Sequence, residues 1–556
     1  MEEERIMNKY ILRFFVIIAA TAGVVVSCND LTLDESEYHT KKYLFGNFGE
    51  VKKVMTNVYT YLQSGFYDFQ ECATDDAVYA NTPDIAKAYY DGSWSANNLV
   101  DDKWAHYYAG IRAANFLLEN CPDDFEIARW DEHYKDYLAQ LKNYPWEAKA
   151  LRAFYHMELL KRYKTIIIAD RTFSVDEVNN LIPSTFDQAV NWIEKELKDA
   201  ADELPDTYSG TYYSEIGRVT KGFALAARAR LLLYAASPLN NPQSEKGRYE
   251  RAAAAALDFI KANDASKTYR LVRQNFNVES PDLIFGIRED ADNKFETLNF
   301  PIGYEGGNSG TCPSLNLVEA FDMKDGTPFD YSKHSAALLD PTQRDPRFAK
   351  AIISNGDIFK NEIVETFDGG RNGQPKENAS PTSFYLRKFV QEATRLTVGN
   401  VSHMLHLYPL FRLQEVYLNY AEALFEATGS PEFTGTLEGV TFSMSPRAAL
   451  NSIRKTYGMP DIPAGLTVDQ FRTRLRNERR VELCFEGHRF WDLRRWKEGE
   501  KTKEIYGLNI VKSADETYSV EKVLVQTRYW HDKQYWYPIS NTEYYKNQNL
   551  MQNKDW

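Results

Sequence analysis

Cysteine is scarce in this chain. Five residues in 556 exclude a disulfide-built scaffold. Cys72, Cys121, Cys312 and Cys484 fall at neither CxxC nor metal-ligand spacing, so they read as buried thiols. Positive charge is also short: 66 Lys and Arg face 79 Asp and Glu, for a net charge of −13. That balance argues against a phosphate-binding surface and excludes nucleic acid as a partner. No run of 18 apolar residues occurs, so no segment reads as a membrane-spanning helix. Signatures of catalysis are missing as well, with no P-loop, GxGxxG, GxSxG or HExxH. His403 and His406 lie three apart without a third ligand. Ser452-Ile453-Arg454-Lys455 matches SxxK without its companion motifs, and Asp322 to Gly326 lacks the alternating oxygens of a calcium loop. No catalytic residue, metal or cofactor is expected. Glycoside hydrolysis, however, needs only two carboxylates at no fixed sequence spacing, so a helical glycoside hydrolase stays as one alternative.

What is abundant is apolar and aromatic material, 43% and 14% of the chain, with Tyr 36, Phe 31 and Trp 10. Such a chain buries a large core, and the excess of tyrosine gives many rings a polar end that can face outward. Helical periodicity marks Trp146 to Tyr163 and Thr185 to Leu204, the second closed by Pro205. Two further pairs follow, Arg218 to Ala236 with Tyr249 to Ala262, and Leu410 to Ala427 with Pro446 to Tyr457. Small Ala beside Tyr and Leu in paired helices suits tetratricopeptide-like packing, although the spacing is not a fixed 34. Between about 265 and 400 the chain is punctuated by Gly, Asn, Pro and Asp. This central insertion is where a binding surface is expected.

The amino terminus sets the expected compartment. Lys9 and Arg13 precede an apolar run from Phe14 to Val26, 13 residues long. That is a signal-peptide core too short to span a bilayer. Val25-Val26-Ser27-Cys28 resembles a lipobox, with Cys28 as the lipidated residue carrying acyl chains such as palmitate. The acidic stretch Asp34-Glu35-Ser36-Glu37 resembles a surface-export signal. The expected organisation is a signal peptide over 1–27, an acidic tether over 28–45 and one body over 46–556. Losing 1–27 leaves the net charge unchanged, since Glu2, Glu3 and Glu4 balance Arg5, Lys9 and Arg13. Several acyl chains hold a protein stably on a membrane without crossing it.

The densest constellation is Arg474 to Trp496, RLRNERRVELCFEGHRFWDLRRW. Glu478, Glu482 and Glu486 recur four apart beside Arg479 and Arg480. Alternating charges at helical spacing are expected to form an ion-pair network that is structural, not catalytic. Here the chain resembles the SusD/RagB family of outer-membrane nutrient-uptake lipoproteins. The family's motif is matched at Glu478, Arg479, Arg480, Glu482, Leu483, Phe485, Glu486, Gly487, Arg489, Asp492, Leu493, Arg495 and Trp496. Other segments agree in order: Leu151-Arg152-Ala153, Arg344-Asp345-Pro346-Arg347, Arg412 to Ala423, and the tail from Tyr537-Pro538-Ile539. Lys164-Thr165-Ile166 departs from the family, which often has glycine first there.

The resemblance implies a mainly α, SusD-like fold and a protein anchored at the outer-membrane surface. It also implies a SusC-like TonB-dependent transporter as partner, over whose mouth this chain closes as a glycan-binding lid. The RagB branch captures peptides, which is the second alternative. By the same resemblance, Trp94 and Asn97 of Trp94-Ser95-Ala96-Asn97 are candidate ligand residues. Asp76 is a further acceptor and Tyr304 the opposing aromatic. An indole can lie on a sugar's C–H face while an amide both donates and accepts. Two such contacts and a few hydrogen bonds point to affinities on the order of micromolar to millimolar. The tail cluster Tyr529, Trp530, Tyr535, Trp536 and Tyr537 reads as core-facing.

Overall fold

The computed structural model describes residues 40–211, 215–273 and 280–556. The expected signal peptide, Cys28 and the tether as far as residue 39 lie outside the described residues. The body opens earlier than residue 46. Lys41–Leu44 is already helical, capped by Thr40, and Phe45 packs on Phe116 with ring centroids 5.5 Å apart.

The chain is mainly α, 43% helix against 12% strand. Among the described residues the longer helices are α1 Phe48–Tyr59, α2 Trp104–Asn120, α3 Tyr134–Tyr163, α4 Phe186–Glu203, α5 Lys221–Ala236, α6 Lys246–Ser266, α7 Leu413–Thr428, α8 Pro446–Thr456, α9 Val468–Glu482 and α10 His488–Arg495. From α2 to α8 each helix packs on the next in the chain. The α6–α7 contact holds although some 150 residues of sequence separate them, so the central insertion leaves and re-enters an intact helical array. Local signals set the ends. Thr185 and Gln188 form a capping box at α4, whose Val190, Ile193, Leu197 and Ala200 are buried along one face. In α5 and α6 the buried residues are largely alanine, which lets the two backbones approach closely.

Several boundaries differ from the sequence expectation: α5 starts at Lys221, not Arg218, and α6 runs Lys246–Ser266, not Tyr249 to Ala262. Helix α3 starts at Tyr134, not Trp146, and carries Pro145 inside it. Proline normally ends a helix, but Phe48 of α1 stacks on both Tyr137 (4.5 Å) and Tyr144 (6.1 Å) and holds the first half in place. Helix α7 starts at Leu413, not Leu410, because the preceding residues are a strand. Strands β1 Leu283–Arg288 and β2 Leu407–Arg412 pair antiparallel, from Leu283 opposite Arg412 to Arg288 opposite Leu407. This ladder clamps the base of the insertion. A second hairpin, β3 Glu504–Lys512 with β4 Tyr518–Thr527, follows α10.

A single hydrophobic cluster of buried residues runs from Val51 to Leu550, and a smaller one gathers Phe300, Tyr304, Phe359 and Tyr385 within the insertion. The charged block over α9 and α10 is buried, and most of its apolar residues belong to the larger cluster. Glu478 takes Arg347 (2.6 Å) and Arg454 (2.7 Å); Glu486 takes Lys388 (2.7 Å) and Arg412 (2.7 Å); Asp492 takes Arg479 (2.8 Å) and Arg495 (2.7 Å). Arg347 and Lys388 come from the insertion and Arg412 from β2, so the ion pairs stitch the insertion to the carboxy-terminal helices. Burial pushes the Glu478 carboxyl up, but Arg347 and Arg454 outweigh it and hold it down at about 2. The structural reading of this block is the one its geometry supports.

Candidate functional site

The four residues selected from sequence fall into different environments. Trp94 is 1% exposed and sits edge-on to Tyr89 (5.8 Å), edge-on to Tyr537 (4.7 Å) and tilted against Trp556 (5.3 Å). The expectation of a sugar-facing indole is therefore corrected: three rings already cover Trp94, and its role is to hold the loop down. Asp76 is fully buried. Arg480 donates from Nε to its Oδ1 (2.7 Å), while neighbouring Asp75 takes both Nε and Nη2 of Arg489 at 2.8 Å. It belongs to the ion-pair network and is no ligand acceptor. Tyr304 is 9% exposed; its hydroxyl donates to the Phe359 carbonyl (3.2 Å) and accepts from Arg371 (3.0 Å). Its ring belongs to the insertion's small cluster, so it does not oppose Trp94, which lies in the main one.

Asn97 alone of the four is exposed, and around it the structure builds a defined surface. Ser95 and Asn98 exchange backbone hydrogen bonds of 3.1 Å, and Ser95 Oγ accepts from the Asn98 amide (3.1 Å). Asn98 Nδ2 donates to the Ser93 carbonyl (3.0 Å), and Asp91 Oδ1 accepts from the Ser93 amide (2.8 Å). Serine, asparagine and aspartate close such turns through their own side chains. The turn is then fixed from outside. The Asn541 backbone amide donates to the Ala96 carbonyl (3.3 Å), and Asn541 Nδ2 donates to Asn97 Oδ1 (2.7 Å). At the other end Tyr529, 42% exposed, lies over Gly92, with its ring 3.6 Å from where a β-carbon would stand. Gly92 has φ +85°, a conformation glycine adopts without strain.

The result is a polar surface carrying Asn97, Asn98 and Asn541 with one exposed ring, Tyr529, beside it. Amides with outward donors and acceptors next to an exposed phenol suit a polyhydroxylated ligand more than an ionic one. The carboxy-terminal aromatic cluster divides as well: Trp530, Tyr535 and Tyr537 are buried, and Tyr529 is not. Sequence reasoning placed Tyr529 with its core-facing neighbours, and no local signal separates it from them. Its partner Gly92 is 437 positions away in sequence.

The other groups weighed in the sequence are accounted for differently. His406 pairs with Glu296 (2.8 Å), and neither it nor His403 is helical. Ser452 donates to the Ala448 carbonyl (2.9 Å) along α8. Among the described residues no group of three or more His, Cys, Asp or Glu is arranged to hold a metal, and no helix is long and apolar enough to cross a membrane. A polar cavity of about 510 Å³ lies elsewhere, walled by α2, α3, α5, β2 and the start of α10.

Comparison with known proteins gives consistent matches along the chain. Residues 281–556 match the model of the SusD family, and residues 33–233 match a SusD-like model described as starch-binding associating with outer membrane. A SusD-like protein P2 of Formosa agariphila is 23% identical over 587 aligned positions, covering 98% of this chain and 99% of its own. Two Bacteroides fragilis crystal structures share the fold. A SusD-like protein has a TM-score of 0.75 at 24% identity, covering 92% of this chain and 98% of its own. A SusD-like carbohydrate-binding protein has a TM-score of 0.73 at 22% identity, covering 91% and 100%.

Proposed function

This chain belongs to the SusD/RagB family, and on that premise we propose that it captures an oligosaccharide or polysaccharide at the surface built on the Ser93–Asn98 turn. The observation that carries the reading is the placement of exposed Asn97 and Asn98, tied to half-buried Asn541, on a turn whose Gly92 end lies under exposed Tyr529. The amides exchange hydrogen bonds with sugar hydroxyls, and the phenol ring covers a C–H face. Because water competes for every contact, each hydrogen bond contributes only about 0.5–1.5 kcal/mol. Affinity for the isolated protein is then on the order of micromolar to millimolar. Weak, reversible capture suits a lipid-anchored lid at the outer-membrane surface that hands its cargo to a SusC-like TonB-dependent transporter. No bond-breaking step is assigned to this surface.

The test is titration of the purified chain with a panel of oligosaccharides and, in parallel, mixed peptides. Asn97→Ala and Tyr529→Ala should each weaken glycan binding about tenfold while leaving the melting temperature unchanged. Glycan binding untouched by both variants would remove the site. Binding of peptides in place of glycans would move the chain to the peptide-capturing alternative, and new reducing ends released by the pure protein would make it a hydrolase. Co-purification with a TonB-dependent barrel through the membrane fraction tests the lid role separately.

A further inference from the structure

The 510 Å³ cavity lies within the ~300–1,000 Å³ range of small-molecule sites, and its wall has two unlike sets of polar groups. The first set is ionic and largely matched. Arg162 bonds Glu158 (2.7 Å) and Asp101 (3.2 Å), Lys161 bonds Glu158 (2.6 Å), and Arg230 takes both oxygens of Glu415 at 2.6 Å. The second set is neutral. The hydroxyls of Tyr107 and Tyr408 and the indole N–H of Trp491 line the cavity, belong to residues more than nine-tenths buried, and make no hydrogen bond within the described chain. Tyr408 is held in place by glycine on two sides. A β-carbon at Gly65 or at Gly487 would stand 2.5 Å or 2.6 Å from its hydroxyl, closer than any side chain tolerates.

Polar groups without a protein partner in such a cavity are satisfied by water there or by a ligand that hydrogen-bonds to them. What that ligand is follows from the charge balance. An ionic ligand would lose its hydration against walls whose buried ions largely have counter-ions; Asp68, Glu289 and the exposed Arg288 also line the cavity, with no salt bridge among the described residues. Phenol hydroxyls both donate and accept, and an indole donates. His488, whose Nδ1 meets Arg479 at 3.4 Å, is kept neutral by burial and the nearby guanidiniums. Asp68 also lines the cavity, and burial, reinforced by Asp101, raises its carboxyl to about 7.

We propose that this cavity is a second binding site, for a small uncharged polyhydroxylated ligand of one or two sugar rings, held by Tyr107, Tyr408 and Trp491. The site is distinct from the Asn97 turn. Trp491 stacks on Tyr537 at 5.8 Å, and Tyr537 in turn meets Trp94, so one aromatic layer separates the two. The proposal shares the saccharide chemistry of the proposed function but none of its residues, and the two can fail independently.

Calorimetric titration of the full chain tests it, with glucose, galactose, mannose, maltose and cellobiose as neutral probes and glucuronate and glucosamine as charged ones. At least one neutral probe should bind. Tyr408→Phe and Tyr107→Phe, which keep the ring and so the fold, should each weaken it about three- to tenfold; Asn97→Ala should leave it unchanged. A shift of Trp491 emission on binding, absent in Trp491→Phe, would place the probe against the indole. The proposal is overturned if no neutral probe binds at tens of millimolar. It is equally overturned if charged probes bind better, or if binding survives both Phe variants and is lost in Asn97→Ala.

Discussion

The Glu478–Trp496 block and the Asp91–Asn98 turn are both short polar stretches, yet they use their side chains in opposite ways. In the block, Glu478, Glu482, Glu486 and Asp492 are all buried; the three glutamates meet guanidinium or ammonium groups from elsewhere in the chain, and Asp492 meets Arg479 and Arg495 of the block itself. Its chemistry is spent on joining the insertion, the helical array and the amino-terminal Asp75–Asp76 pair. In the turn, one buried indole supplies the fixing and the amides around it face out. A dense charge motif is therefore the poorer guide to a binding surface, because charges at low exposure persist only where they are neutralised. The turn's modest polarity can meet solvent or ligand.

The sharpest way to break this comparison is to remove one cation from the block. Arg489→Ala leaves Asp75 with Arg480 (3.0 Å) as its one remaining cation among the described residues and should cost about 3–5 kcal/mol of stability, measured by chemical denaturation. The paired change Asp75→Asn with Arg489→Met should recover part of that loss; a cost under about 1 kcal/mol for Arg489→Ala would mean the network is not what joins these parts. Next in size is the turn's own anchor. Trp94→Ala removes an indole packed by three rings and should also cost about 3–5 kcal/mol, with glycan binding lost alongside. Asn97→Ala should weaken the binding about tenfold and keep the stability. If both variants shifted the melting temperature alike, the division into anchor and presenting residue would not hold.

A pH profile separates the two kinds of buried carboxyl. Glu158, Glu422 and Glu478 are held at about 2 by cationic partners that outweigh burial. Their stabilisation is present above the unfolded value near 4.5 and lost as pH falls towards 2. Burial, then Asp101 for Asp68 and Asp76 for Glu71, raises those carboxyls to about 7 and about 8. Between roughly pH 4 and 8 the folded chain holds protons there that the unfolded chain has released, so these two groups lower stability as pH rises. The melting temperature should peak near pH 5, and Glu71→Gln, still able to accept from the Gly487 amide, should flatten the alkaline limb. An unchanged limb in that variant would reject the assignment.

The smallest expected effect is at the end of α3. Lys164 has φ +68° and ψ −53°, with the Thr165 amide bonded back to the Tyr163 carbonyl at 2.7 Å. That is a γ-turn of the rare, strained hand. Lys164→Gly should stabilise the chain by about 1 kcal/mol. A loss of stability would show that the lysine's contacts outweigh the strain. The departure from the family's glycine noticed in the sequence thus coincides with a real backbone feature.

How much of this was legible follows the range of the interactions. The ends of α4 and α8 are written locally, in Thr185 with Gln188 and in Ser445 before Pro446, and the sequence reading placed them within a residue. The start of α3 was not, because Phe48 overrides Pro145 from another helix. Helix α7 was begun three residues early, because the strand before it exists only through its pairing with β1. At the candidate site, Asn97 was legible from its motif, whereas Tyr529 was hidden among five tail aromatics of which three are buried.

By itself the sequence determined the class of protein: a large aromatic core, paired helices, a charge balance unsuited to nucleic acid and a motif set belonging to one family. The first three rest on composition and on spacings of three to seven residues, which act within a helix, and the last on resemblance to the family's motifs; none needs knowledge of the fold. Only the tertiary structure decided which polar groups are free. Trp94 and Asp76 looked available and are enclosed, while Tyr529, read with its core-facing neighbours, is exposed. Burial and hydrogen bonding are properties of neighbours hundreds of residues apart, and no local pattern records them.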